Sequence, residues 1–496
     1  MSDAIRAQSL DERISDAMTP IADAVTSVVF FAVSIGGTEL PLIVVWLVIA
    51  GAFFTVYLGF LNVRGFRHAI DLVRGQYSKP EDAGEVSHFQ ALATAVSGTV
   101  GLGNIAGVAV AISIGGPGAT FWMILAGFLG MSTKLAECTL GVKYRNEHAD
   151  GSVSGGPMYY LQRGVAAVTG SRGLGRTLAI LFAIFCIGGA LGGGNMFQAN
   201  QATAQIQAVT GGADSPIADL NWLIGLVFAV AVGMVIIGGI KSIARVTEKL
   251  VPFMAVIYLT AGVIVIAFNL DAVPGAFADI LRGAFNPEGV AGGAIGALIV
   301  GFQRAAFSNE AGIGSASIAH SAVRTQHPST EGHVALLEPF IDTIVICTMT
   351  ALIIVITGAY LDPDAAELGG VALTSDAFET VIPWFPNVLA VAVVLFAFST
   401  MITWAYYGMK ATGYLFDDSA KAELVFKFVF VTFTVIGASL SLGPVIGVSD
   451  SMIFLMAIPN VIGLYILART LKREIEGYRA KVASGEFAKV GDRAGD

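Results

Sequence analysis

Ser97–Gly107 reads SGTVGLGNIAG, and it stands in the middle of an apolar run that starts near His88 and ends near Gly115. Gly98, Gly101 and Gly103 crowd into this short stretch, with good helix formers on either side. Each glycine weakens a helix by up to about 1 kcal/mol relative to alanine. The flanks ask for a helix that crosses a bilayer, and the glycines weaken it at mid-depth. Backbone left unpaired at that depth survives only where it lines a cavity or meets a ligand. The stretch therefore predicts a membrane helix broken at a binding site.

The whole chain fits that solvent. Its 496 residues are 55% hydrophobic and 13% charged, with a mean hydropathy of +0.74, whereas soluble chains carry about 25% charged residues. Glycine, at 59 residues, is abundant, as in membrane helices. The formal charge of −9 argues against a nucleic-acid partner, which needs a basic face. Cys138, Cys186 and Cys347 all lie in apolar stretches without CxxC spacing and read as small buried hydrophobes. Residues 1–20 are polar, so no cleavable signal is expected there.

A helix needs about 20 apolar residues to cross a bilayer. About eleven stretches qualify, near 40–61, 90–114, 117–142, 176–207, 222–240, 250–269, 290–320, 335–359, 387–415, 424–446 and 450–470. Residues 13–35 are expected to form an interfacial helix. Basic residues mark the cytoplasmic side. Arg64, Arg67, Arg74 and Lys79 follow the first span, Lys143 and Arg145 the third, and Lys241, Arg245 and Lys249 the fifth. Arg469, Lys472, Arg473, Arg479 and Lys481 lie in the tail, while the 361–379 loop holds Asp362, Asp364, Glu367, Asp376 and Glu379 without Lys or Arg. This places the N-terminus outside and the C-terminus in the cytoplasm.

The glycine device recurs. FSNEAGIGSASIA (307–319) contains GIGS at 312–315, the pattern of GLGN at 101–104. The two are five spans apart, an odd number, so the helices run in opposite directions. Paired discontinuous helices in inverted halves point to a transport site at the membrane midplane. The expected organisation is an interfacial segment over 1–37, an extra transmembrane helix over 38–62, five-helix repeats over 88–270 and 288–470, and a cytoplasmic tail over 471–496. GLGNIAG also resembles the dinucleotide fingerprint. It lacks the preceding strand, and the first acid after it is Glu137, so that reading is rejected.

HFQALATAVSGTVGLGNIAGVAVAI (88–112), GGPGATFWMILAGFLGMSTKLAE (115–137), SGGPMYYLQRG (154–164) and FSNEAGIGSASIAHSA (307–322) resemble the alanine-or-glycine:cation symporter family. The similarity spans most of residues 38–470. It implies the amino acid–polyamine–cation type of fold, leucine-transporter-like: an all-α polytopic membrane protein with an inverted five-helix repeat and one extra helix in front. It also implies symport of small neutral amino acids, alanine or glycine, with sodium as the coupling ion, across the cell inner membrane. The VGLGN stretch (100–104) also looks like the unwound first core helix of neurotransmitter:sodium symporters. That likeness implies a sodium site at the Ser97 and Val100 carbonyls, and a substrate carboxylate beside Thr99, Gly101, Leu102 and Gly103.

The chemistry suits these positions. A carboxylate wants bare N–H groups at a positive helix end, which a half-helix starting near Gly101–Asn104 offers. An ammonium wants carbonyls, expected around Thr99 and from a break near Ala306–Phe307. Asn195 and Gln198, in GGGNMFQANQ (192–201), are candidate side-chain ligands, with interhelical hydrogen bonding as the other reading. In FAFSTMITWAYYG (396–408), the Ser399 and Thr400 hydroxyls and the Phe396 carbonyl are the further sodium candidates. Hydroxyls of this kind also commonly bond their own helix backbone. Phe307 and Trp404 are expected to limit the pocket to a small side chain.

Ionisable residues inside spans are functional candidates. Arg304 with Glu310 is expected as a gating or structural pair at the second break, Lys134 with Glu137 as a solvated or interfacial pair, and Glu338 with Asp342 early in the eighth span. Asp342 is the candidate if the coupling ion is a proton. The six histidines form no HExxH, and Ser315, Ser317 and His320 form no nucleophile–base–orienter set, so an enzyme is not expected. A channel would need a symmetric filter or charged ring. The runner-up is a proton-coupled or broader-specificity neutral amino-acid permease of the same fold.

Overall fold

The computed structural model describes residues 10–35, 38–78, 82–149, 151–286, 293–362, 369–487 and 489. Lys79, Asp364 and Glu367, the first nine residues and residues 490–496 lie outside the described residues. Among the described residues the chain is a bundle of helices with two small antiparallel hairpins, Ala32–Ile35 with Thr38–Pro41 and Asn146–Glu147 with Val153–Ser154.

Helix occupies each of the eleven expected stretches. Among the described residues, seven helices are long and apolar enough to cross a membrane, and eight if the bent pair His88–Thr99 and Gly103–Gly115 counts as one. The three shorter ones are Leu42–Tyr57, Asn221–Ile236 and Gly293–Asn309, of 16, 16 and 17 residues. Sixteen residues rise about 24 Å, short of a hydrocarbon core of about 30 Å. At the N-terminus the helix runs over Leu10–Val29 and gives way to the first hairpin, so it begins and ends earlier than the expected 13–35. It lies along the last helix, Leu442–Ala483, with Phe30 and Phe454 rings 5.2 Å apart.

Burial is distributed as a lipid solvent requires. Phe268, Ile237, Phe428 and Leu424 face outward, whereas Lys134, Glu137, Glu331, Glu338 and Asp342 are fully buried. Apolar groups cost nothing in lipid, and ionisable ones have to find partners inside the bundle.

Seven elements position the site: α1 (His88–Thr99), α2 (Gly103–Gly115), α3 (Ala119–Lys143), α4 (Arg172–Val209), α5 (Gly293–Asn309), α6 (Pro328–Thr357) and α7 (Phe385–Leu415). α1 starts at a reciprocal cap: the Ser87 hydroxyl accepts from Gln90 N–H at 3.2 Å, and the Gln90 side chain accepts from Ser87 N–H at 3.1 Å. Such a cap satisfies two amides that a helix end leaves unpaired. α1 stops at Thr99, and α2 resumes at an angle of 51°. The second break falls at Glu310–Ser315, where Glu310 (φ 56°), Gly312 (φ 88°) and Gly314 (φ 92°) are left-handed. Two of these three positions suit only glycine at low cost. The break expected near Ala306–Phe307 is thus one turn later. α5 continues through Asn309, and the Ala306 carbonyl accepts from Glu310 N–H at 3.0 Å.

Candidate functional site

The break between α1 and α2 is enclosed by α7 on one side and α4 on the other. The Ser97 hydroxyl donates to the Ser399 carbonyl at 2.8 Å, and the Thr400 hydroxyl donates to the Ser97 carbonyl at 3.0 Å. Ser399 donates to Phe396 O at 3.0 Å. Thr403, one residue before Trp404, adds a bond to the Ser97 hydroxyl at 3.2 Å. Ser97, Phe396, Ser399 and Thr400 are therefore assembled as neutral oxygens in one buried place, with Val100 at the adjoining end of α1. Such a set suits a hard monovalent cation, since carbonyl and hydroxyl oxygens replace its water without adding a fixed charge. Thr99 differs: its hydroxyl turns back to Ala95 O and Val96 O, both at 3.3 Å.

On the other side of the break, Gly101 N–H donates to Asn104 Oδ1 at 2.9 Å, and Leu102 N–H donates to Gln198 Oε1 at 3.1 Å. Gln198 is fixed from behind by its own donation to Gly193 O at 2.9 Å. Two amide oxygens thus hold the N–H groups at the start of the α2 half-helix, the geometry a carboxylate would find there. Gly101 is hemmed in: a β-carbon on it would run into Thr400 Oγ1 and lie 3.1 Å from Gln198 Oε1. Gly103 has more room, with the nearest neighbours at Ser308 Cα, 3.4 Å, and Phe307 Cδ1, 3.5 Å.

Trp404 is buried, donates Nε1–H to Gly98 O at 3.3 Å, and lays its ring on the bare backbone of Gly194, where a β-carbon would collide with it. Phe307 packs edge-on against Phe197 with centroids 5.1 Å apart, beneath the Arg304 guanidinium. Asn195 points elsewhere. Its amide donates to Phe430 O at 2.6 Å, and its carbonyl accepts from Thr434 at 2.8 Å, which is the interhelical bonding mode.

A polar cluster on the far side of Asn104 was legible only in part. Asn104 Nδ2 donates to Asp342 O at 3.0 Å and Asp342 Oδ1 at 2.6 Å. Ser308 and Thr343 hydroxyls donate to Asp342 Oδ2 at 3.0 and 2.6 Å. An acid in an apolar run signalled Asp342, but nothing local linked it to Asn104 or Ser308. Thr374, in the helix Gly370–Glu379, also closes on the break by donating to Ile105 O at 3.0 Å.

The expected ion pairs are rearranged. Arg304 pairs with Asp450 of the last helix, and Glu310 accepts instead from Ser315. Lys134 and Glu137 are fully buried rather than solvated. Lys134 bonds Glu338 at 2.9 Å, and Glu137 accepts from Asn460 at 2.7 Å. Residues one turn apart on a helix diverge once partners on other helices are nearer, and buried charges require those partners.

A cavity of about 830 Å³ runs along the Asn200–Val209 part of α4, beyond Gln198, lined by Gln201, Thr203, Gln207, Ser375, Asp376 and Glu379. Burial, with Glu379 and Asp362 adding repulsion, raises the Asp376 carboxyl above its ordinary range.

The profile of the sodium:alanine symporter family matches residues 23–491. The sodium/alanine symporter AgcS of Methanococcus maripaludis is 40% identical over 439 residues, covering 88% of this chain and 94% of that protein. The probable sodium/glutamine symporter GlnT of Bacillus subtilis is 33% identical, over 90% of this chain and 89% of GlnT. Among solved structures, MhsT in complex with L-phenylalanine superposes with a TM-score of 0.55 at 15% identity, covering 79% of this chain and 93% of MhsT. That likeness supports the fold alone. This multi-pass helical membrane protein is a transporter, and the chain belongs to the sodium:alanine symporter family.

Proposed function

We propose that the chain is a sodium-coupled symporter of small neutral amino acids, alanine and glycine, in the cell inner membrane, with its N-terminus outside and its C-terminus in the cytoplasm. The observation that carries this reading is the pair of amide oxygens, Asn104 Oδ1 and Gln198 Oε1, on the N–H groups of Gly101 and Leu102. A substrate carboxylate takes their place at the half-helix end, where two N–H groups and the helix dipole favour a negative charge. The α-amino group then lies toward the carbonyls of the unwound segment, and the side chain toward Phe307 and Trp404. Sodium sits among Ser97, Val100, Phe396, Ser399 and Thr400, within reach of the same break. Thr99 and Gly103 complete the wall. Asn195 contributes through the fit of α4 to its neighbour rather than by touching substrate. The inverted repeats, 88–270 and 288–470, supply the two broken helices, and the acid-lined cavity at Asp376 and Glu379 is the outer entrance.

A second reading, coupling to a proton, is favoured by one observation: Asp342, a buried carboxylate, is bonded directly to Asn104 in the break. Uptake of radiolabelled alanine into proteoliposomes separates the two. Sodium coupling predicts accumulation under an inward sodium gradient and none when potassium replaces sodium at constant pH. Equal uptake in potassium, abolished by a protonophore, overturns it in favour of the proton.

A further inference from the structure

At the end of the bundle away from the acid-lined cavity, the two broken helices meet a single carboxylate. His88 is the first residue of α1, and its Nδ1 lies 2.5 Å from Glu331 Oε2. His320 is the last residue of the helix that follows the second break, Ala316–His320, and its Nδ1 lies 2.7 Å from Glu331 Oε1. Both oxygens of Glu331 are thus taken, one by each broken helix. All three side chains are at most 3% exposed. Glu331 belongs to α6, which packs on α3. There the buried Lys134–Glu338 pair stands behind it, and Glu338 Oε2 is 3.5 Å from His320 Nε2.

The backbone around these residues is paired as well. Glu85 N–H donates to Ala322 O at 2.7 Å and Arg324 N–H to Val86 O at 2.9 Å. These bonds join the lead into α1 to the exit from the second broken helix. Arg145 gathers both sides, donating to Val323 O at 2.6 Å, Ala83 O at 2.8 Å and Thr325 O at 3.0 Å. Nothing in the substrate or sodium chemistry uses this layer, yet it holds three charged or imidazole groups out of water at a cost that only their mutual bonds offset.

We propose that Glu331 is the latch of the cytoplasmic gate, holding α1 through His88 and the second broken helix through His320, so that release of substrate to the cytoplasm requires the His88–Glu331 bond to break. His88, His320 and Glu331 are positioning residues, since they act on the site through the helices they hold. The proposal rests on the transport reading and orientation given above. The backbone pairing alone cannot serve as the latch, because it joins the two moving segments to each other. Glu331 ties both to α6 through side chains at the helices themselves, whereas Arg145, just past the end of α3, reaches only the carbonyls of the connecting segments.

Ala91 lies one turn from His88 on the same face of α1 and is 1% exposed. An Ala91→Cys variant therefore reports opening beneath the site. Maleimide labelling of the full-length protein in detergent with sodium, resolved peptide by peptide by mass spectrometry, compares this position with the native Cys186, which is buried in α4. In Glu331→Gln, and separately in His88→Gln, labelling at position 91 should rise at least tenfold while Cys186 stays as slow as in the parent. Slow labelling at both cysteines overturns the latch, and so does fast labelling at both, which means general loosening. His88→Gln decides the matter if Glu331→Gln does not fold. Alanine binding with and without sodium in the same preparations tests the transport reading separately, since that reading can fail while the labelling contrast stands.

Discussion

Gln198 Oε1 accepts the Leu102 N–H at 3.1 Å, so a side chain from α4 spans the gap to the half-helix that begins in the first break. An amide carries both an acceptor and a donor on one terminus. Turning it over replaces the bond to Leu102 with an N–H aimed at an incoming carboxylate. A hydrogen bond to a charged group contributes about 1.5–3 kcal/mol, and 1.4 kcal/mol is about tenfold in affinity. Gln198→Ala should therefore raise the half-saturating alanine concentration by about tenfold or more. Gln198→Glu, which adds a fixed negative charge at the carboxylate position, should abolish uptake. Uptake kinetics of the two variants, normalised to protein in the membrane, check this. Unchanged kinetics in both would remove Gln198 from the site.

The two glycines of the break should differ in tolerance. A β-carbon at Gly101 meets Thr400 Oγ1 and Gln198 Oε1, while one at Gly103 makes contacts of 3.4–3.6 Å only. Gly101→Ala is expected to lose alanine binding, Gly103→Ala to retain part of it, and leucine at either position to abolish it. Equilibrium binding on purified protein with a normal size-exclusion profile measures this. Equal tolerance at both positions would contradict the packing.

Removing either hydroxyl of the Ser399–Thr400 pair leaves a bound cation one ligand short. Ser399→Ala and Thr400→Ala should each raise half-saturating sodium by about tenfold, from a loss of roughly 1–3 kcal/mol. Thr400→Ala should have the larger effect, because its hydroxyl also ties α7 to Ser97 O at 3.0 Å. Sodium titration of alanine uptake gives the answer, and wild-type sodium dependence in both variants would misplace the site.

Substrate size tests the two aromatic walls. Trp404→Leu should admit leucine or methionine and weaken alanine, since a filled methylene contributes about 1–3 kcal/mol. Phe307→Leu should do the same to a smaller degree, as Phe197 still backs that wall. Competition against radiolabelled alanine by a size series measures the profile. No change in either variant would assign the boundary to other side chains.

What was legible in the sequence follows the range of the physics. Helices announced themselves through local apolar runs, and the GLGN break through the cost of clustered glycines. The meeting of Ser97 with Ser399 and Thr400 was reached only through the family resemblance, because no spacing rule joins residues on separate helices. The charged residues misled for the same reason. Lys134 and Glu137 are one turn apart and suggested a pair, but burial sent one to Glu338 and the other to Asn460. Arg304 and Glu310 were expected to flank a break, but α5 runs unbroken from Arg304 to Asn309, and residues six apart on a helix face different ways, here to Asp450 and Ser315. The helices Leu42–Tyr57 and Asn221–Ile236 are shorter than the stretches that announced them, because the apolar run continues through the turns that end them, over residues 58–60 and 237–238.

The ring of Trp404 lies where residue 194 would carry a β-carbon, so the dimensions of that wall are shared between two distant helices. Residue 194 is not free to vary while the indole is present. A side chain at 194 excludes the indole, and a smaller residue at 404 leaves a hollow over bare backbone. On the proposed transport reading, kin that keep the indole are expected to keep glycine opposite it, and kin that accept bulkier cargo to have lost the indole without a return of bulk at 194. Tryptophan at 404 should be inherited with glycine at 194, a signature of substrate size readable in genomes without any structure.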